Sequence, residues 1–257
     1  MKKIIFPEGN NEYIKEAAAQ AEQQNICEPI LLNGGSEPLQ EACKIIARGD
    51  ADGMVAGIDF SSRDVILAAR DFIGVRPGTK TFSSFFAAEL PNGQKLILSD
   101  GATCKNPTAE QLAEIITLVI PPAEKFLQDE AKVALLSFST LGSGGKDPSI
   151  DKLREALAIV KANSPNLQID GEMQLDAAIN PRIATKKAPN SPVAGHANIL
   201  ITPDLNSGNI LYKSLETFAG ASVYGPVLLG FNAPVSDLSR GSTVEDILGT
   251  TKIIAEM

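Results

Sequence analysis

"TFSSFFAAELPNGQKLILSDG", residues 81–101, joins two apolar runs through Pro91-Asn92-Gly93. Proline presets φ for a turn corner, and Asn-Gly tolerates the positive φ that a tight hairpin needs. The stretch is expected to be a β-hairpin. Upstream, short apolar runs alternate with helical periods, the pattern of βαβ units and a parallel sheet. An antiparallel hairpin in such a chain marks a second folding unit that starts near residue 78.

Working outward from the hairpin, "KKIIF" and "PILL" are expected strands, and "NNEYIKEAAAQAEQQN" lies between them as a helix. In "EPLQEACKIIARGD", Leu39, Ala42, Cys43 and Ile46 recur at i, i+3, i+4, i+7 and predict one buried helix face. "GMVAGI" is a small-residue strand, followed by a helix over "SSRDVILAARDFIG" with Ser61 or Ser62 as N-cap. Downstream, "NPTAEQLAEIITLVIPP" predicts a helix with Asn106 as N-cap and Pro107 at N1, ended by Pro121-Pro122. "KVALLSFST" reads as a buried strand, then a glycine loop, then a helix over "IDKLREALAIVKAN". "NILI" and "SVYGPVLLGF" are further strands, with a helix from about Ile210 between them.

Bulk numbers narrow the function. The chain has 257 residues, 44% hydrophobic and 21% charged, enough for one large domain or two small ones. Net charge is −8, and the sequence pI is about 4.8, so nucleic acid and anionic membranes are not expected partners. An anionic ligand needs locally placed Arg, Lys and N–H groups. "MKKIIF" is too short in its apolar part for a signal peptide, and no run is long enough to span a bilayer. Three cysteines without a CxxC pair indicate neither a disulfide framework nor a zinc site. The expected location is the cytoplasm.

Chemistry is sparse by motif. Gly145-Lys146 is followed by Asp147, so the glycine loop is not a Walker A motif, and no GxGxxG opens a helix. The loop is either an anion site of backbone N–H groups or a plain strand-to-helix turn. His196 is the only histidine, so a His-based triad is excluded and His196 is taken as structural. Asp170, Glu172, Gln174 and Asp176 alternate and would share a strand face, as a metal cluster or as a hydrogen-bonded polar face. Near the C-terminus, Ser242 and Glu245 fit a capping box, which leaves Asp246 in the first helical turn without a capping role. Asp246 is either a dipole-compensating acid or a functional one beside Ser239 and Arg240.

Those last residues also carry a resemblance. "GPVLLGFNAPVSDLSRGSTVEDI" resembles the C-terminal signature of the phosphate acetyltransferases. "ADGMVAG", "DGATCKNPTAEQLAEI", "VALLSFSTLGSGG", "PNLQIDGEMQLDAAI" and "KAPNSPVAGHANILITPDLNSGNILYK" resemble family motifs in family order, from about Ala51 to the end. The Asp-Leu-Ser-Arg-Gly run favours the acetyl over the butyryl branch. The resemblance implies an α/β, two-domain fold like the isocitrate and isopropylmalate dehydrogenases, with an interdomain cleft. Domain I would be residues 1–77 plus 228–257, and domain II, the dimerising one, residues 78–227. It implies exchange of an acetyl group between acetyl-CoA and acetyl phosphate, with coenzyme A and phosphate as partners, no permanently bound cofactor, no metal and a homodimer. Asp246 would take the CoA thiol proton, Ser239 would bond the developing oxyanion, and Arg240 would hold phosphate or the CoA end. Ser61, Ser62, Arg63, Arg70, Asn106, Ser139, Thr140 and Lys213 would bind substrate. The sequence departs from the family twice. It lacks a segment with basic residues between "ILLNGG" and "EPLQEA", and it has Leu67 where members carry a phosphate-contacting Arg. Arg63 or Arg70, a helical turn to either side, could replace that charge. The departures leave a second reading, a catalytically weak domain that senses acyl-CoA or acyl phosphate, and a phosphate butyryltransferase as a third.

Overall fold

The computed structural model describes residues 1–257. The chain forms two compact units, Met1–Thr79 with Tyr224–Met257, and Lys80–Val223.

In the first unit the strands are β1 (Lys3–Phe6), β2 (Glu28–Leu31), β3 (Gly53–Ala56), β9 (Ser222–Leu229, from Tyr224 on) and β10 (Val235–Asp237), in the order β2-β1-β3-β10-β9. All pair in parallel except β10 with β9. The helices are α1 (Glu12–Gln23), α2 (Pro38–Ala47), α3 (Ser62–Ala68) and α9 (Val244–Glu256). A π-helical turn, Ala69–Ile73, continues α3. α1 packs on α9, and α2 packs on β3 and the π turn. The expected face of α2 is buried as Leu39, Ala42, Cys43 and Ile46. β10 was not foreseen. Three residues between Pro234 and Leu238 show no period, and their pairing to Met54, Val55 and Ala56 is what makes them a strand.

The second unit holds β4 (Ser83–Glu89), β5 (Lys95–Ser99), β6 (Lys132–Leu136), β7 (Gln168–Met173) and β8 (Ile199–Ile201), in the order β4-β5-β8-β6-β7. β4 and β5 are the expected hairpin, antiparallel from Phe85↔Ser99 to Glu89↔Lys95. The remaining neighbours are parallel. Its helices are α4 (Ala109–Leu127), α5 (Pro148–Asn163), α6 (Leu175–Ile179), α7 (Pro181–Lys187) and α8 (Leu205–Ala219). A cluster of Phe86, Leu96, Leu98, Leu136, Met173 and Leu200 fills one side of this sheet.

Three expectations change here. α4 is capped by Thr108, in a reciprocal box with Gln111, rather than by Asn106. It also runs through Pro121 and Pro122 to Leu127. The two prolines remove backbone donors. The helix nevertheless buries Leu112, Ile115, Ile116, Val119, Pro122 and Ala123, and a fully buried Leu or Ile is worth about 1.5–3 kcal/mol. α8 begins at Leu205, because the Asp204 side chain accepts from Ser207 N at 2.9 Å and starts it a full turn before Ile210.

Candidate active site

β1, β3 and β10 run side by side in parallel, so their carboxyl ends share one edge, where α1, α3 and α9 begin. Open α/β sheets bind ligands at such an edge. Ser61, Ser62, Arg63, Ser239, Arg240 and Asp246 all lie in the segments that follow these strand ends.

At α9 the cap differs from the sequence expectation. Thr243, not Ser242, is the N-cap, and Asp246, not Glu245, closes the box. Ser242 is spent in a turn, its N–H donating to the Ser239 carbonyl at 3.0 Å. Asp246 Oδ2 accepts from Thr243 N and from Thr243 Oγ1, both at 2.8 Å, and Asp246 N donates to Thr243 Oγ1 at 3.2 Å. Asp246 therefore has a structural job after all, on one oxygen. Its Oδ1 has no partner within the chain. Ser239 and Arg240 are exposed, and Arg240 pairs with no carboxylate. Ser239 Oγ accepts only a long contact, 3.4 Å, from Gly241 N.

At α3, Ser61 is the N-cap: its Oγ accepts from Asp64 N at 3.2 Å and donates to Asp64 Oδ2 at 2.6 Å. Ser62 is the exposed first residue of α3. Leu67 is half-buried, and Arg63 is exposed and forms no ion pair. Arg70 lies in the π turn, and its Nε is taken by Asp71 Oδ1 at 2.7 Å. Arg63 is thus the free cation of the pair.

Three buried acids went unnoticed in the sequence: Glu8, Asp100 and Asp237. Glu8 is 6% exposed and accepts from Gly57 N, Asp59 N and Phe60 N at 3.0, 2.6 and 3.1 Å. Burial pushes its pKa up against those donors. Asp237 is 4% exposed, and burial raises its pKa to about 6, opposed by Ser62.

In the second unit the glycine loop after β6 is a satisfied turn. N–H groups from Ser139 to Gly145 all have acceptors inside the unit: Ser137 Oγ, Ser143 Oγ, the Glu172 carbonyl, Glu172 Oε1, and then Thr140 O, Ser139 Oγ and Gly142 O. Asp147 caps α5. The anion-site reading of this loop therefore loses its donors. Ser139 is fully buried, its Oγ donating to Glu172 Oε1 at 2.7 Å and accepting from Gly144 N at 2.9 Å. Thr140 Oγ1 accepts from Gln174 N at 3.0 Å. Glu172 also receives Arg154 Nε at 2.9 Å. Burial alone would raise its pKa, but Arg154, Ser139 and Gly142 N–H bring it below the usual carboxylate value.

The acid alternation is a hydrogen-bonded face that ends early. β7 stops at Met173, so Asp176 sits in α6 and pairs with Lys187 at 2.9 Å. No group of three or more His, Cys, Asp or Glu is placed to hold a metal ion. Asn106 is exposed and accepts from Lys152 Nζ at 3.1 Å. Lys213 is exposed on α8, 4.9 Å from the Tyr212 ring centroid. His196 is exposed.

Residues 35–255 match the model of the phosphate acetyl/butaryl transferase family. A phosphate acetyltransferase of Treponema pallidum is 44% identical over 224 residues, which cover 84% of this chain and 67% of that protein. The crystal structure of a phosphotransacetylase from Streptococcus pyogenes superposes with a TM-score of 0.89 at 35% identity, over 99% of this chain and 93% of the other. A 4-hydroxythreonine-4-phosphate dehydrogenase from Klebsiella pneumoniae, at 12% identity, covers 99% of this chain and all of its own with a TM-score of 0.57, a likeness of fold alone. The expected α/β dehydrogenase-like fold holds. With a family match over most of its length and close relatives of one activity, the chain belongs to the phosphate acetyl/butaryl transferase family and is an acyltransferase of the phosphate acetyltransferase kind.

Proposed function

We propose that the chain moves an acetyl group reversibly between acetyl phosphate and coenzyme A by direct thiolate attack in a ternary complex. The observation that carries this is the start of α9. Asp246 is held by one oxygen while the other is free, and Ser239 and an unpaired Arg240 stand a few residues upstream. Asp246 Oδ1 takes the thiol proton; a free thiol has a pKa of about 8.5 and attacks as thiolate. The sulfur adds to the acetyl carbonyl, and negative charge develops on its oxygen. Ser239 donates to that oxygen, and Arg240 stabilises the anionic phosphate. The carbon–oxygen bond to phosphate then breaks, leaving acetyl-CoA and phosphate. Donors aimed at charge that develops only in the transition state raise turnover rather than ground-state affinity.

For substrate binding, Arg63 is the proposed phosphate contact in place of the family Arg. Asn106, Thr140 and Lys213 are the proposed contacts of the second unit. Ser61 and Ser139 serve by shaping their turns, since their hydroxyls are already engaged, while the exposed Ser62 at the start of α3 is a proposed substrate contact. Arg70 is the weaker candidate, being held by Asp71.

The protein is proposed to be a cytoplasmic homodimer paired through the second unit. α8 supports the pairing: only Gly208 of it is buried, and Ile210 and Phe218 are 66% and 86% exposed. The three cysteines are free, and no helix is long and apolar enough to cross a membrane.

The test is purified protein with acetyl phosphate and CoA, followed by thioester absorbance. Acetyl-CoA should form without added metal, and a chelator should leave the rate unchanged. Leu67 in place of a phosphate-binding Arg favours one other reading, a domain that senses acyl-CoA or acyl phosphate. CoA binding with no thioester at high enzyme concentration would establish it. Faster turnover of butyryl than acetyl phosphate would assign the butyryl branch.

A further inference from the structure

The chain enters α3 through four residues, Gly57 to Phe60, between the end of β3 and the N-cap Ser61. Three of their four N–H groups are given to one side chain. Glu8 Oε2 accepts from Gly57 N at 3.0 Å, and Oε1 accepts from Asp59 N at 2.6 Å and from Phe60 N at 3.1 Å. Glu8 reaches them from a turn that is itself fixed. Gly9 N donates to the Leu32 carbonyl at 3.1 Å, and Asn11 N donates to the Glu8 carbonyl at 2.9 Å. A Cβ built on Gly9 would lie 2.7 Å from Leu32 O, so this turn packs directly on the chain after β2. Asn11, the N-cap of α1, adds a second tie, its Nδ2 donating to Asp59 Oδ2 at 3.1 Å. The first residue of the loop is wedged on its other side. A Cβ built on Gly57 would lie 2.5 Å from Leu238 N and 2.7 Å from Asp237 Oδ1, and its φ of +116° already favours glycine. Glu8 is 6% exposed; burying a carboxylate costs free energy, which three charge-assisted bonds offset. The loop it holds ends at Ser61, and Arg63 follows two residues later.

We propose that Glu8 is a positioning residue for phosphate binding: by taking the N–H groups of Gly57, Asp59 and Phe60 it fixes where α3 begins, and so where Arg63 meets the phosphoryl group. This rests on the role proposed above for Arg63. Glu8 acts through the loop and needs no contact with substrate. Arg63 is exposed and forms no ion pair, so its placement depends on the backbone that carries it. A shift of about 1 Å in a group that positions substrate can cost up to about 100-fold. The thiol proton and the developing oxyanion belong to Asp246 and Ser239 in the proposed reaction. Losing the placement of Arg63 is therefore felt in acetyl phosphate affinity and not in turnover.

The experiment measures kcat, the KM values for acetyl phosphate and CoA, and melting temperature for the wild type, Glu8→Gln, Arg63→Ala and the double variant. Gln keeps the shape of Glu8 and one accepting oxygen, but its NH2 group faces an N–H, so at least one of the three bonds is lost. Glu8→Gln should raise the KM for acetyl phosphate about three- to tenfold, while kcat and the KM for CoA change less than about twofold. On the Arg63→Ala background that rise should vanish, because the group being placed is gone. Should Glu8→Gln fail to fold, Asn11→Asp decides. It keeps an acceptor for the α1 cap, removes the donor to Asp59 and sets two like charges face to face; a rise in the acetyl phosphate KM, absent on the Arg63→Ala background, is again required. A wild-type KM for acetyl phosphate in Glu8→Gln despite a lower melting temperature overturns the proposal and leaves Glu8 a fold-holding acid. So does a rise that persists on the Arg63→Ala background. A wild type that does not turn over would strike the reading of function instead. The inference is then judged by calorimetric binding of inorganic phosphate to the same four proteins, and dissociation constants without that pattern overturn it. An Arg63→Ala enzyme that turns over with an unchanged KM removes the contact through which Glu8 acts, and overturns the inference while acetyl transfer stands.

Discussion

Each unit turns from a parallel strand into a helix through a polar loop, and the two turns are built in opposite ways. After β6 the loop is rich in glycine, and every N–H from Ser139 to Gly145 is spent internally around the buried Glu172. After β10 the loop has a single glycine, Gly241, and leaves groups unspent: Asp246 Oδ1, the Arg240 guanidinium and Asp237 Oδ1. Glycine content alone does not tell the two turns apart. A loop whose donors are all satisfied is a scaffold. Polar groups kept near one another without partners are where a ligand gains most.

The largest expected break in this comparison is Asp246→Asn. Asn can still accept from Thr243 N–H and keep the cap, but it cannot take a thiol proton. Turnover should fall about 10²–10⁴-fold with little change in KM and melting temperature. Glu245→Gln, outside the box, should remain active. An Asn variant within about threefold of the wild type would remove the base assignment.

Two of the buried acids, Asp237 and Glu172, should respond to pH with opposite signs. The folded pKa of Asp237 lies above its unfolded value, so its contribution is full below about pH 4 and is lost as pH rises through about 6. Relative to Asp237→Asn, the wild type should lose about 3 kcal/mol between pH 4 and pH 8, read from urea unfolding. Glu172 has a lowered pKa, so its contribution is present above its unfolded value and is lost as pH falls through the folded one. Glu172→Gln should therefore differ most from the wild type on the alkaline side. Both variants drifting in the same direction would refute the contrast.

Arg154→Met tests whether the β6 turn is scaffold only. It removes the donors Nε and Nη2 from Glu172, at 2.9 and 3.3 Å. A hydrogen bond to a charged group is worth about 1.5–3 kcal/mol, and the half-exposed Arg154 side chain favours the lower end. The melting temperature should fall while kcat per folded molecule stays the same. A selective loss of kcat would give this turn a part in the chemistry.

The smallest effect expected is at Arg63. Arg63→Ala should raise the KM for acetyl phosphate about tenfold, equivalent to about 1.4 kcal/mol, with a lesser change for CoA. Arg70→Ala, already paired with Asp71, should do little. If neither variant moves it, the phosphate charge is met elsewhere, and Lys213 is the next to replace.

The sequence by itself determined what depends on neighbours along the chain. The stripe of Leu39, Ala42, Cys43 and Ile46 is a helix period, and Pro91-Asn92-Gly93 between apolar runs is a hairpin, because both patterns lie within one or two turns of backbone. The family motifs were legible for the same reason: they are long contiguous strings. Tertiary structure decided whatever depends on burial or on distant partners. α4 runs through Pro121-Pro122 because its buried face outweighs two missing donors. The caps moved from Asn106, whose side chain accepts from Lys152, to Thr108, and from Ser242, whose N–H is tied to Ser239 O, to Thr243. Glu8 meets Gly57 across 49 residues, and Asp237 packs on the same Gly57 across a still longer span, so no local pattern could mark either acid as buried. Local spacing fixes φ, ψ and periodicity. Burial, and with it the charge state of a carboxyl, is a property of the packed chain.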